Sequence, residues 1–162
     1  MPLAGLAGSD LLEASGFARV RNPYGSGEEV AAIPAIRPDV ALIHVQAASA
    51  EGNLRIDGAH YEDVLLAKAS RRVIASAERL LPRSEFQARP ELTSLPAFLV
   101  EAVVEAPRGA WPTSCHGCYS YDAEYLANYA RAARTAEGFQ EFVARSLALW
   151  DSSRAPLAHH RA

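Results

Sequence analysis

Two short, strongly apolar runs separated by a helical segment constrain the fold of this chain more than any other feature. The first run, 39–46, reads DVALIHVQ, and the second, 72–77, reads RVIASA. Runs of this length, rich in β-branched residues, are typical of strands buried on both faces of a parallel sheet. Between them, 61–70 has apolar residues at helical spacing. Strand, helix and strand in this order predict a right-handed βαβ unit and an α/β fold.

Weaker patterns extend this prediction in both directions. They indicate a short helix over 9–15 that ends at Gly16, a buried parallel strand over 29–33, a further strand over 99–104, and two helices after Asp122. Asp122 is expected to cap the first of these helices, and Thr135 to cap the second. The fold class is therefore α/β, with a mostly parallel sheet, flanking helices and a helical C-terminus.

Length and charge limit the function classes that fit this chain. Its 162 residues suit one domain, which we place at 1–151, followed by a flexible tail over 152–162. The formal net charge of −3 argues against nucleic acid or an anionic membrane as a partner. No apolar stretch approaches the roughly 20 residues that span a bilayer. With only 2 cysteines there is no disulfide framework, and we expect a cytoplasmic protein.

Cys115 and Cys118 form a C-x-x-C pair within the sequence CHGC. Such a pair supplies half of a zinc site or a redox centre. Zinc needs two further ligands, and the sequence contains no second C-x-x-C. His44 falls in a predicted buried strand, and a redox pair normally opens a helix directly after a strand. We therefore expect structural cysteines and no metal or cofactor.

Two loops qualify as ligand sites on their sequence alone. Glu51-Gly52-Asn53 follows the first strand, where α/β proteins place binding loops, so Glu51 is a candidate acid or base. The alternative, which we favour, is a tight turn with Glu51 in solvent. The loop 107–114 is rich in small residues whose free N–H groups suit an anion, and an irregular connection fits equally well. Ser114 lacks the G-x-S-x-G context of a hydrolase nucleophile.

Four collinear segments resemble the A-type subunit of the class I CoA transferases, and the glutaconate CoA-transferase type is the most similar. Their sequences are GSDLL at 8–12, RPDVALIHVQAASAEGNLRIDG at 37–58, RRVIASAERL at 71–80 and PRGAWPTSCHGCYSYD at 107–122. The resemblance implies the sheet-and-helix fold of that family, similar to NagB. It also implies that this chain matches the C-terminal part of that subunit, with the family's first strands lacking a counterpart before Met1.

The resemblance further implies an activity that depends on a partner. Family members move coenzyme A between carboxylic acids, with the CoA thioester as substrate rather than cofactor. The nucleophile is a glutamate of the partner, the B-type subunit, so no catalytic nucleophile is expected in this chain and a hetero-oligomer is implied. Positions that carry over as forming the substrate and CoA cleft are Gly52, Asn53, Thr113 and Ser114, with structural roles as the alternative. His44, Gln46, Tyr119 and Asp122 match further polar positions.

This chain departs from the family's sequence pattern at two positions, and two functions other than CoA transfer stay open. Ser49 replaces the family's aspartate in the turn, and Trp111 replaces a histidine in the loop, which puts substrate contacts at both positions in doubt. Some members of the superfamily open a carbon ring in a CoA thioester by hydrolysis, and there Glu51 would be a candidate base. A truncated remnant that serves as a non-catalytic scaffold is the other alternative.

Overall fold

The computed structural model describes residues 2–6, 8–25 and 27–152. The chain forms two compact units, Met1–Arg37 and Pro38–Ala162. The predicted tail, 152–162, lies outside the described residues apart from Ser152, the last residue of the final helix.

The first unit is a small antiparallel sheet with one short helix. Its elements are β1 (Pro2–Leu3), a 3-10 helix (Ala4–Leu6), α1 (Asp10–Ser15), β2 (Ala18–Arg21) and β3 (Glu29–Ala32). The sheet order is β1-β3-β2. As the sequence predicts, α1 ends at Gly16, whose φ of 64° is a conformation that glycine adopts without strain.

The strand predicted over 29–33 is present as β3, but our prediction that it pairs in parallel is wrong. β3 pairs antiparallel with both of its neighbours, with Val20 opposite Val30. The reason lies in the connection, because the few residues between β2 and β3 form a hairpin, whereas a parallel pair needs a crossover of a dozen or more. An apolar run alone does not reveal that difference.

The second unit contains a parallel sheet with its helices. Its strands are β4 (Val40–Val45), β5 (Ala47–Ala48), β6 (Leu54–Arg55), β7 (Arg72–Ala77) and β8 (Ala102–Glu105). Its α-helices are α2 (Asp63–Ala69), α3 (Arg83–Ala88), α4 (Ala123–Ala132) and α5 (Ala136–Ser152), and two 3-10 turns cover Pro90–Leu92 and Ala97–Leu99.

The predicted βαβ unit is confirmed. β4 and β7 run parallel over their whole length, from Val40 opposite Arg72 to Val45 opposite Ala77, and α2 lies between them in the chain. β8 extends the sheet in the order β4-β7-β8. The strand expected from Leu99 begins only at Ala102, because the segment after Pro96 forms a 3-10 turn instead.

The parallel sheet buries one face rather than two. Alternate residues of β4 and β7 form the core together with Ala67 of α2 and with Leu54. Those from β7 are small: one valine and two alanines. The opposite face carries Leu42, which is 74% exposed, and Val104, which is 40% exposed. Our expectation of strands buried on both faces is therefore wrong for the described structure. Apolar side chains occupy both faces of β4, so the sequence cannot distinguish the two cases.

The two C-terminal helices begin where the capping residues predict. The Asp122 carboxylate accepts a hydrogen bond from Tyr125 N at 2.9 Å, and Gly138 N donates to Thr135 Oγ1 at 3.1 Å. The helices pack through aromatic side chains, with the Tyr125 and Phe142 ring centres 5.2 Å apart. Within the described part of the chain, no helix is both long and apolar enough to cross a membrane.

We expect Asp122→Ala to lower the free energy of unfolding by about 1 kcal/mol, because the substitution leaves the first turn of α4 without its cap. Asp122→Asn is the matched control, since its amide oxygen accepts the same hydrogen bond. Chemical denaturation followed by circular dichroism measures both variants. Equal losses in the two variants would contradict a capping role.

Candidate functional site

A cleft of about 790 Å³ lies at the carboxyl edge of the parallel sheet. Because β4, β7 and β8 are parallel, the loops that follow them meet at this edge, which is where α/β proteins bind ligands. The lining residues come from the end of β4, from the segment 56–63 and from the loop 110–121. The fold therefore brings together segments that are far apart in the sequence.

The Glu78 carboxylate, directly after β7, joins three parts of this edge. Its Oε1 lies 2.7 Å from His44 Nε2 and accepts a hydrogen bond from the Tyr119 hydroxyl at 2.6 Å. Its Oε2 accepts a hydrogen bond from Arg108 N at 2.7 Å. The side chain is only 11% exposed. One carboxylate thus connects β4, β7 and the loop that follows β8.

These hydrogen bonds decide the charge state of the group. Burial opposes ionisation of Glu78, but hydrogen bonds from Tyr119, from Arg108 N and from His44 outweigh it and lower the pKa of the carboxyl group. Burial and the bond to Glu78 raise the pKa of Tyr119 to about 12. At neutral pH the pair is therefore an anionic acceptor and a neutral donor.

His44 occupies a satisfied position, as the sequence predicts. Its Nδ1 lies 2.8 Å from Ser76 Oγ on the neighbouring strand, and its Nε2 faces Glu78. Gly109 packs so closely that a Cβ there would lie 2.7 Å from His44 Cε1. His60 is exposed, which confirms the surface position expected for it.

Gln46, the residue after β4, also joins two segments that line the cleft. It is 7% exposed, and its Oε1 accepts a hydrogen bond from Asp57 N at 3.0 Å. Its Nε2 donates to His116 O at 3.2 Å. The end of β4 therefore holds both the turn at Asp57 and the loop that carries the two cysteines.

The loop 107–114 is not the free anion cradle that its composition allows. Its backbone N–H groups are largely used internally: those of Gly109, Trp111 and Thr113 donate to the carbonyls of Ala106, Arg108 and Ala110, respectively. Arg108 N and Ala110 N donate to Glu78 and to the Tyr119 hydroxyl. The alternative of an irregular connection therefore fits, because successive turns consume the donors that an anion would need.

The two cysteines differ in their surroundings. Cys115 is buried, Cys118 is exposed, and they are not joined by a disulfide. They lie in a tight turn in which Cys118 N and Tyr119 N both donate to Cys115 O, well before α4 begins. Burial, then the hydrogen bond with Cys118, raises the pKa of Cys115 to about 11. A thiol of this kind is protonated at neutral pH and is not a nucleophile.

The residues predicted to form the substrate cleft lie in two places. Ser114 lines the cleft, and Thr113 lies beside it with its hydroxyl bonded to Ala110 O. Gly52 and Asn53 lie instead in the turn between β5 and β6. Asn53 Oδ1 accepts a hydrogen bond from Ala97 N at 3.2 Å, so Asn53 has a structural partner there. A role in substrate binding stays a prediction for all four.

Glu51 is placed as the turn interpretation expects. Gly52 has a φ of 105°, a conformation that L side chains rarely adopt, and Gly52 N donates to Ser49 O at 3.0 Å. A hydrogen bond from Ser49 lowers the pKa of the exposed Glu51 carboxyl group. A general acid or base is normally tuned in the other direction, towards neutral pH.

Glu78 is a site residue that the sequence patterns did not single out, although the necessary signal was present. It is the first polar side chain after the apolar run 72–77. Ligands bind at the carboxyl ends of parallel strands, so the argument that makes the turn after the run 39–46 a candidate site applies equally to Glu78.

Two residues other than glycine have a positive φ in this region: Tyr61, with a φ of 42°, lines the cleft, and Arg108, with a φ of 61°, donates its N–H to Glu78. Such strain is concentrated at functional sites.

We expect Tyr119→Phe to lower the free energy of unfolding by about 1–3 kcal/mol, because Ala110 N loses its acceptor and Glu78 loses a donor in a partly buried site. Tyr121→Phe is the matched control in the same loop. Tyr121 is 62% exposed, so its change should stay within about 0.5 kcal/mol. Urea denaturation measures both variants, and equal effects would contradict the role given to Tyr119.

Comparison with known proteins identifies the family. The family model for coenzyme A transferase matches residues 7–106. The A-type subunit of glutaconate CoA-transferase from Acidaminococcus fermentans is 39% identical over 126 residues, which are 78% of this chain and 39% of that protein. The crystal structure of the glutaconate enzyme superposes with a TM-score of 0.84 at 34% identity, covering 90% of this chain and 51% of that one.

A relative that is named for a different activity is also similar. The cholesterol ring-cleaving hydrolase IpdA subunit of Rhodococcus jostii is 32% identical over 157 residues, covering 91% of this chain and 53% of that protein. This chain thus spans about half, or less, of the length of the relatives it matches. The family model alone covers more than half of the chain, and the chain therefore belongs to the coenzyme A transferase family.

Proposed function

We propose that this chain supplies one wall of the active site of a CoA transferase, in the role of the A-type subunit next to a B-type partner. One observation carries the proposal. Three of the segments that resemble the family, 37–58, 71–80 and 107–122, meet at the cleft. The positions that resemble the family are therefore spatially adjacent at the edge of the sheet where ligands bind in this class of fold.

The Glu78 carboxylate, which lies against the loop, is not free to act as a nucleophile. Glu78 accepts three hydrogen bonds, and freeing it would leave Arg108 N and the Tyr119 hydroxyl without their acceptor. In our proposal the nucleophile is a glutamate of the B-type partner, as the resemblance to the family implies. Its carboxylate oxygen attacks the thioester carbonyl, the C–S bond of the resulting adduct breaks, and CoA departs as a thiolate, which leaves a mixed anhydride between the acyl group and the glutamate.

The charge of the cleft indicates which part of the substrate this wall receives. Among the described residues that line it are Asp57 and Asp63, and none is Lys or Arg. The phosphates of coenzyme A are anionic and would be repelled here. We therefore place the acyl group at this wall, next to Ser114 and the aromatic side chains of Tyr61 and Tyr121.

A second function has specific support from one relative. The similarity to the cholesterol ring-cleaving hydrolase IpdA subunit extends over 91% of this chain. In that alternative no coenzyme A is transferred. Water adds to a ring carbonyl of a CoA thioester, the adjacent ring carbon–carbon bond breaks, and the carbonyl carbon becomes a carboxylate. Both reactions would use the same wall, so only an assay distinguishes them.

The test is to purify the protein that carries this chain together with its B-type partner and to measure CoA exchange. We expect transfer from an acyl-CoA to acetate or another carboxylic acid, detected by mass spectrometry of the product thioesters. A ring-ketone CoA thioester is supplied in parallel. Ring opening without exchange would favour the hydrolase, and failure to form either a complex or a product would overturn both.

Two variants connect the activity to the geometry. Glu78→Gln should lower the exchange rate by at least about tenfold, because the loop that lines the cleft loses its anionic acceptor. Glu51→Gln, in the exposed turn between β5 and β6, should leave the rate unchanged within about twofold. The opposite ranking of the two variants would contradict the assignment of this cleft as the active site.

A further inference from the structure

We propose that His44, Glu78 and Cys115 form a binding site for a borderline-soft divalent transition metal ion of the Zn²⁺ type, with its fourth position facing the cleft. The three residues come from β4, from the end of β7 and from the loop after β8. Their ligand atoms, an imidazole nitrogen, a carboxylate oxygen and a thiol sulfur, all lie within 4.8 Å of one another. This proposal does not rest on the proposed function.

The donor set and the spacing suit such an ion. Zinc takes nitrogen, oxygen and thiolate ligands, and three protein ligands with one open position are typical of its reactive sites. Ligand atoms in a tetrahedral zinc site are about 3.3–3.6 Å apart. The His44 Nε2 to Glu78 Oε1 separation is 2.7 Å, so this pair must widen by less than about 1 Å on binding. In the metal-free form, the proton that the two atoms share takes the place of the ion.

The ligands already have the outer hydrogen bonds that metal ligands in proteins use. The nitrogen of His44 that would not bind the ion, Nδ1, lies 2.8 Å from Ser76 Oγ. The second carboxylate oxygen of Glu78 is fixed by Arg108 N at 2.7 Å. Such partners orient the first ligands and limit the cost of ordering them. Neither bond has to break when the ion binds.

The local charge also favours a cation. The Glu78 carboxylate is one of the three groups of the cluster, and the Asp57 carboxylate lines the same cleft. The described residues that line the cleft include no Lys or Arg, and the Arg108 guanidinium lies outside that lining, over the ring of Tyr119.

On binding, the Cys115 thiol proton passes to solvent and a metal–sulfur bond forms. The His44 proton moves from Nε2 to Nδ1, where Ser76 Oγ accepts it, and metal bonds from His44 Nε2 and Glu78 Oε1 replace the hydrogen bond between them. No group is oxidised or reduced.

The fold explains why the sequence predicts no metal here. The C-x-x-C pair lacks two further ligands in the sequence, and its second cysteine, Cys118, is exposed and does not belong to the cluster. The missing ligands are His44 and Glu78, which only the parallel register of β4 and β7 brings next to the loop. Cys115 therefore has a role that Cys118 does not share.

The test is a Co²⁺ titration of the protein that carries this chain, reduced and freed of metal, followed by optical absorption. We expect one Co²⁺ per chain with an absorption band from thiolate-to-cobalt charge transfer, and displacement of the band by Zn²⁺. Cys115→Ser should abolish the band and weaken binding by more than about tenfold. Cys118→Ser is the matched control and should keep both, and circular dichroism verifies that each variant is folded.

Three outcomes would overturn the proposal. The first is the absence of stoichiometric binding by the unaltered protein. The second is a charge-transfer band that survives Cys115→Ser in a folded variant. The third is a band lost equally in Cys118→Ser, since that result would indicate a site made by the cysteine pair. As a measurement that needs no variant, Zn²⁺ should raise the melting temperature of the unaltered protein, because a ligand that binds only the folded state stabilises it.

Discussion

The carboxylate of Glu78 is the interaction on which the organisation of the cleft depends. It accepts hydrogen bonds from the Tyr119 hydroxyl and from Arg108 N, and it faces His44 Nε2. The first two partners belong to the loop after β8, and the third belongs to β4. Without this acceptor the half-buried His44 Nε2 and the half-buried Tyr119 hydroxyl would lose their shared partner, as would Arg108 N. An unsatisfied polar group costs about 1–3 kcal/mol when it is fully buried, which is the upper limit here.

The parallel register is what places these groups together. His44 lies opposite Ser76 across β4 and β7, so Glu78, two residues further along the chain, points to the same face as His44. That face continues toward the amino ends of the strands as exposed apolar surface at Leu42. The polar cluster therefore occupies the carboxyl edge of the sheet, while the opposite face of the sheet forms the core.

Local patterns in the sequence were sufficient to predict much of the fold. The apolar runs of β4 and β7 and the helix between them required the parallel pairing, and Asp122 and Thr135 marked the starts of α4 and α5. The apolar pattern alone did not predict the antiparallel pairing of β3, which follows from the short connection to β2, or the exposed face of β4, which depends on tertiary partners. The resemblance to the CoA transferases, carried by the four quoted segments, was confirmed.

The candidate site was predictable only in part. Ser114 and His44 were expected near the carboxyl edge and lie there, whereas Gly52 and Asn53 serve a turn that holds Ala97 N. Glu78 was not predicted, although it follows the run 72–77 at the carboxyl end of a parallel strand, because an acidic residue in that position has many possible roles. Its three partners are distant in the sequence: Arg108 and His44 lie 30 and 34 residues away, and Tyr119 lies 41 residues away.

The central claim, that Glu78 fastens the loop over the cleft, is tested most directly by amide hydrogen exchange at Arg108. This residue is exposed, yet its N–H donates to Glu78 Oε2 at 2.7 Å. We predict that the Arg108 amide exchanges at least about tenfold more slowly than an unstructured peptide, and that Glu78→Ala removes this protection while amides of β7 keep theirs. Exchange of the Arg108 amide at the unprotected rate in the unaltered protein would contradict the claim.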